Sequence, residues 1–338
     1  MPFPIRRVWI FLAGVAALWF GAAHAEVTLL NVSYDVTREL YKEINPAFTA
    51  HWTETTGEKI AVEQSHGGSS KQAFSVANGL EADVVTMNQA TDIDLLARSE
   101  LVPADWRQRL PYTSAPYTST TVFLVRGGNP KRIHDWDDLT RSGVVVIVPN
   151  PKTSGNGRYT YLAAWGYAVK KGSDETQARD FVTRLFRNVP VLDGGGRGAT
   201  TTFTQRALGD VLVTFENEAV LIQRELKSAG FEVVYPSISL EVEAPVAVVD
   251  RVVERKGTRK QAQGYLEFLY SSAGQEIIAR HFFRPRLDTV LKQHAHQFKS
   301  IPLFTVDEVF GSLDQAQKTH FADSGVFDQI YQSTTTVR

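Results

Sequence analysis

The stretch NPKTSGNGRYTYLAAWG, Asn150 to Gly166, decides how this sequence is read. It follows the apolar run Val144 to Val148 and places a turn of small residues between a buried strand and a helix. The first turn of a helix leaves backbone N–H groups without intrahelical partners. Together with the helix dipole they form a site for an anion. Glycine lets a ligand approach the backbone closely, and Ser154 adds a hydroxyl donor.

Three further turns occupy the same kind of position. QSHGGSSKQAF, Gln64 to Phe74, follows the run Ile60 to Glu63, and LDGGGRGATTTF, Leu192 to Phe203, follows Val189 to Leu192. NVSYDVTREL follows the first strand and puts Asp35 where a helix N-cap belongs. All four lie at the carboxyl end of a strand, where ligands of open α/β sheets bind. One such turn is commonly no more than a tight connection; four in one chain point to a shared task, the holding of a small anion. Around them, His66 is a metal ligand, an ion-pair partner or a local hydrogen-bonding residue, and a lone loop histidine suits the last role. Arg158 and Arg197 either touch the anion or orient the turns, and orientation is favoured because backbone donors suffice. Lys71 follows GGSS but lacks the spacing of a phosphate loop.

Beyond the turns, β-rich runs alternate with helical patterns. The runs are Thr28 to Val32, Ile60 to Glu63, Asp83 to Thr86, Thr121 to Val125, Val144 to Val148, Val189 to Leu192, Val211 to Phe215 and Val246 to Val249. Ala73, Val76, Ala77, Leu80 and Tyr161, Ala164, Trp165, Ala168 carry helical apolar spacing. The alternation predicts an α/β protein with parallel sheets covered by helices. With 338 residues the chain is long enough for two cores. The proline-bearing segments Ser114 to Val125 and Ser237 to Val249 read as crossings between lobes. They place one lobe at 26–116 plus 244–338 and the other at 117–243, with the helices from LFTVDEVFG to Tyr331 packed back on the first lobe.

Composition narrows the function. Arg6 and Arg7 precede the apolar run Val8 to Ala23 and the small-residue site ending at Ala25, the pattern of a secretory signal peptide cut after Ala25. The run is short for a membrane-spanning helix, so the mature chain is expected to be exported and periplasmic. Of 36 basic and 37 acidic residues, that cut removes two arginines and no acids, and the slightly acidic remainder offers no field for nucleic acid. Without cysteine there is no disulfide, thiolate metal site or cysteine nucleophile. The eight histidines show no H-E-x-x-H pair, so no metal and no cofactor are expected. No G-x-S-x-G serine or carboxylate pair stands out, and a carrier fits better than an enzyme. A rival exists in Gly194-x-Gly196-x-x-Ala199 with Glu216 downstream, a local match to a dinucleotide site. Its place in the second lobe and the short strand before it speak against that use.

These stretches, together with ADVVTMNQATD, SAPYTST, FLVRGGNPKRIHDWDDL, GDVLVTFENE and LFTVDEVFG, resemble the periplasmic sulfate- and thiosulfate-binding proteins of ABC importers over nearly the whole mature chain. The resemblance implies a type II periplasmic-binding-protein fold, two α/β lobes joined by a hinge of crossing segments that close on one dehydrated tetrahedral dianion. It implies membrane permease subunits and a cytoplasmic ATPase as partners; a monomeric carrier is expected. Carried onto this chain, the family's donors fall on the backbone of Asp35, on Ser69, on the hydroxyl and backbone of Ser154, and on the backbones of Gly155, Asn156 and Gly196. Sulfate-specific members are similar at VLxxWENE, where a tryptophan indole donates to the anion; here Phe215 stands in its place and cannot donate. The thiosulfate type resembles this chain more in NPKTSGN, GGRGATTTF, PADW and that phenylalanine. An apolar ring suits the large, weakly accepting sulfur of thiosulfate, unless Phe215 merely packs against the hinge. Sulfate and thiosulfate are therefore the expected ligands, with molybdate or phosphate as the alternative. A donor-only cavity is expected to exclude hydrogen phosphate, whose proton would find no acceptor.

Overall fold

The computed structural model describes residues 27–335, so the expected signal peptide lies outside the described residues. Twelve strands are described: β1 (Val27–Tyr34), β2 (Ile60–Gly67), β3 (Val84–Thr86), β4 (Tyr117–Val125), β5 (Val146–Pro149), β6 (Leu192–Asp193), β7 (Val211–Phe215), β8 (Glu232–Val234), β9 (Ser239–Glu243), β10 (Val246–Val248), β11 (Arg284–Pro285) and β12 (Leu303–Phe304). They form two sheets. The smaller has the order β10-β3-β1-β2; the larger runs β12-β9-β4-β7-β5-β6, with β8 and β11 also pairing with β4.

The eight expected strands are present within a few residues, but the sheets are mixed rather than parallel. β1 is parallel to β2 and β3, and β5 to β6 and β7. β4 is antiparallel to β7 and β9, and β10 antiparallel to β3. These antiparallel strands belong to the two extended segments singled out in the sequence. A segment that passes between sheets joins each without a helical crossover, and only a crossover enforces parallel pairing.

Past β10 the chain diverges from expectation. The helix Ser272–Arg280 still packs against the helix Arg38–Thr56 beside the small sheet. Then β11 lies on β4, and β12 pairs in parallel with β9 in the large sheet. The last helix, Val326–Thr335, packs on the helix Glu175–Arg187 rather than on the first lobe.

The physical reason lies in the helix Gly155–Lys170, in which every residue from Gly155 to Ala168 is buried. A helix covered on all sides needs a second partner besides its sheet. Here that partner is the C-terminal segment. Tyr161 meets Phe321 and Phe327 edge-on at ring-centre distances of 5.1 and 6.0 Å, and His320 stands edge-on to Trp165 at 4.7 Å. The ring of Phe304 presses on Gly166, leaving no room for a Cβ there.

Candidate functional site

The helices that begin after β2, β5 and β6 meet end to end. Gly68, at the start of the helix Ser69–Ala77, lies so near the other two turns that a Cβ on it would stand 2.7 Å from the carbonyl oxygen of Thr153 and 2.9 Å from that of Gly194. Thr153 in turn donates its hydroxyl to the Gly194 carbonyl at 3.1 Å. The fourth turn joins through Asp35, whose carboxylate accepts from the backbone N–H of Arg197 at 3.0 Å, in the first turn of the helix Gly196–Thr204. A Cβ on Gly196 would lie 2.9 Å from Val36 and 3.1 Å from the Asn156 amide nitrogen. All four turns, from both sheets, therefore converge on one place.

The predicted residues distribute as follows. Asp35 opens a short 3-10 turn ahead of the helix Arg38–Thr56 and is 8% exposed. Burial raises its carboxyl pKa, while the N–H groups of Arg197, Asp35 and Val36 favour its charged form. Ser69 is buried, and its hydroxyl accepts the backbone N–H of Asn88 at 3.3 Å. Ser154 is the N-cap of the helix Gly155–Lys170, its side chain accepting from Gly157 at 3.5 Å. Asn156 donates its amide to the Thr214 hydroxyl at 3.0 Å and keeps a buried side-chain oxygen without a partner. Phe215 ends β7, fully buried and edge-on to Tyr159 at 6.1 Å.

The cationic side chains near these turns are engaged elsewhere. Arg158 is 7% exposed; it donates to the carbonyls of Pro151 at 2.8 Å and Lys152 at 3.3 Å, and stands 3.8 Å from Asp92. It thus ties the turn before its own helix to the helix Ala90–Arg98. Arg197 pairs with Glu39 at 3.1 Å and with the fully buried Glu218 at 3.3 Å. Burial raises the Glu218 carboxyl pKa, and Arg197 opposes it. Burial, with Arg38 nearby, holds the His66 imidazole down at about 4, so it is neutral at pH 7. Lys71 is exposed.

One expectation, and the rival already set aside, meet opposing observations. Acceptor oxygens of Asp35 and Asn156 stand beside the donors, so the surroundings are not donor-only. Glu216, the acid a dinucleotide site would need for a ribose, is buried and takes both Nε and Nη2 of Arg284, at 2.7 and 2.9 Å. Asn88, Asp92 and Glu218 escaped the sequence reading. Asn88 and Asp92 follow a strand with no glycine to mark the turn, and Glu218 pairs with a residue 21 positions away. A cavity of about 550 Å³ lined by Trp106, Arg107, Tyr159, Glu241 and Glu243 includes none of the predicted residues. Among the described residues no cluster of three or more potential metal ligands occurs.

Comparison with known proteins identifies the family. Residues 29–284 match the family model of bacterial extracellular solute-binding proteins. The chain is 62% identical over 312 residues to a thiosulfate-binding protein of Pseudomonas aeruginosa, spanning 92% of this chain and 94% of that one. It is 55% identical over 306 residues to a sulfate-binding protein of Escherichia coli K12, spanning 90% and 93%. Among solved structures, a sulfate-binding protein from Mycobacterium tuberculosis H37Rv superposes with a TM-score of 0.78 at 32% identity, covering 86% of this chain and 98% of that one.

Proposed function

Since this chain belongs to the bacterial extracellular solute-binding protein family, we propose that it captures sulfate and thiosulfate in the periplasm and delivers them to an ABC-type importer, binding its ligand without turning it over. The observation that carries the reading is the meeting of four helix-opening turns from two sheets at Gly68, Thr153, Gly194 and Asp35. The names of the similar proteins, which are thiosulfate and sulfate binders, support the ligand class.

The anion is held by the backbone N–H groups of Asp35, Gly155, Asn156 and Gly196 with the hydroxyls of Ser69 and Ser154. Hydrogen bonds to a charged group contribute about 1.5 to 3 kcal/mol each. Several of them, less the cost of ordering and closure, reach about −8 kcal/mol, a micromolar affinity. Arg158, Arg197 and His66 act behind these donors. The arginines fix the turns through carbonyls and carboxylates, which leaves the dianion to be met by dipoles.

Two lobes are proposed, one carrying the small sheet and the other the large sheet, the chain from 303 onward going with the second. Ligand bridging both sides favours the closed arrangement, which docks on the permease subunits whose cytoplasmic ATPase drives transport. The carrier works as a monomer, exported after cleavage at Ala25. No helix of the described residues is long and apolar enough to cross a membrane.

The lack of an indole donor at Phe215 favours thiosulfate at least as much as sulfate. Titration calorimetry with sulfate, thiosulfate, phosphate and molybdate tests the reading. It expects micromolar or tighter binding of the first two, with thiosulfate not inferior. Binding of neither, or a tenfold preference for phosphate or molybdate, contradicts it.

A further inference from the structure

We propose that Asn88 touches the bound anion directly and donates to it through its side-chain amide, an inference that rests on the anion-carrier reading above. Asn88 follows β3 and is 2% exposed. Its side-chain oxygen is buried and has no hydrogen-bond partner among the described residues. Two proposed ligand groups flank it. Its backbone N–H donates to the Ser69 hydroxyl at 3.3 Å, and its carboxamide lies on Gly155, where an added Cβ would collide with Oδ1.

A buried carboxamide without partners costs about 1 to 3 kcal/mol, so its retention calls for a use. The neighbouring Gln89 spends its amide nitrogen within the fold, donating to Ser70 at 3.1 Å and to Asp92 at 3.0 Å. The Asn88 amide nitrogen makes no such bond among the described residues, and the carboxamide sits against the opening turn of the helix Gly155–Lys170. The last torsion of an asparagine side chain is broad, so Nδ2 can swing toward an oxyanion held between Ser69 and Gly155. Phe215 leaves the anion one side-chain donor short, and Asn88 supplies one from the first lobe.

The test is titration calorimetry of sulfate and of thiosulfate into the parent protein, Asn88→Ala and Asn88→Asp at neutral pH, with the anion-free melting temperature of each as a folding control. Asn88→Ala removes one donor, and about a tenfold loss of affinity for both anions is expected. Asn88→Asp keeps the size and replaces the donor by a negative charge, for which about a hundredfold loss or more is expected. Affinities of Asn88→Ala within twofold of the parent overturn the proposal. So does tighter binding by Asn88→Asp, which would assign position 88 an accepting role. Should the parent itself bind neither anion, the carrier reading fails, and this inference with it.

Discussion

Gly68 and Phe215 carry the sharpest predictions at the scale of single residues. The backbone of Gly68 has φ −57° and ψ 133°, which any residue adopts, so alanine there tests only the close approach to the Thr153 and Gly194 carbonyls. Gly68→Ala is expected to weaken thiosulfate binding by about tenfold or more; calorimetry showing parental affinity would mean that the turns need not meet. Phe215→Trp introduces an indole N–H at the end of β7. It is expected to raise the sulfate-to-thiosulfate affinity ratio by about tenfold, the value of one hydrogen bond to a charged group less the crowding against Tyr159. An unchanged ratio would make Phe215 a packing residue. Among the site residues the glycine turns were legible because chemistry and position coincide in one short motif. Asn88 and Glu218 were not, since their significance comes from partners distant in sequence.

The helix Gly155–Lys170 shows where periodicity misleads at the scale of elements. Tyr161, Ala164, Trp165 and Ala168 suggest a single apolar face, yet the residues between them are buried too. The C-terminal segment covers the second face, and nothing in the helical spacing says which part of the chain will do so. Gly166→Ala gives a stability test of that packing. Alanine improves helix propensity by about 1 kcal/mol, but its methyl meets the Phe304 ring, and overpacking costs about 1 to 3 kcal/mol. The melting temperature is expected to fall; a rise would mean that Phe304 yields freely.

The same interface holds a titrating group. Burial keeps the His320 imidazole down at about 4 against an ordinary 6.5, with Nδ1 2.9 Å from the Tyr161 hydroxyl. Between those two pH values the unfolded chain binds the proton and the folded protein does not. Stability therefore rises with pH across the window and is lost as pH falls from about 6.5 to 4. The gap bounds the effect of His320 at about 3 kcal/mol. His66, also held at about 4, acts in the same direction. Thermal melting of His320→Gln at pH 4.5 and 7 is expected to show a smaller acid-side loss than the parent; an equal loss would place the titration elsewhere.

For the whole molecule, the alternation of strands and helices was enough to indicate α/β architecture. Two extended segments were enough to indicate that the chain passes between sheets. The sequence did not reveal the passage at β11, because a two-residue strand carries no period, nor the return of the C-terminus to the large sheet, because that depends on which hydrophobic surface is left open. The central physical claim also belongs to this scale: a doubly negative anion is gripped by helix-opening amides from both sides, while arginines serve the framework. A crystal structure of the thiosulfate or sulfate complex tests it most directly. Anion oxygens are expected within hydrogen-bond distance, about 2.7 to 3.2 Å, of the N–H groups of Asp35, Gly155, Asn156 and Gly196 and of the hydroxyls of Ser69 and Ser154, with Arg158 and Arg197 still on their carbonyl and carboxylate partners. An anion held instead by the guanidinium groups, or bound away from these turns, would contradict it.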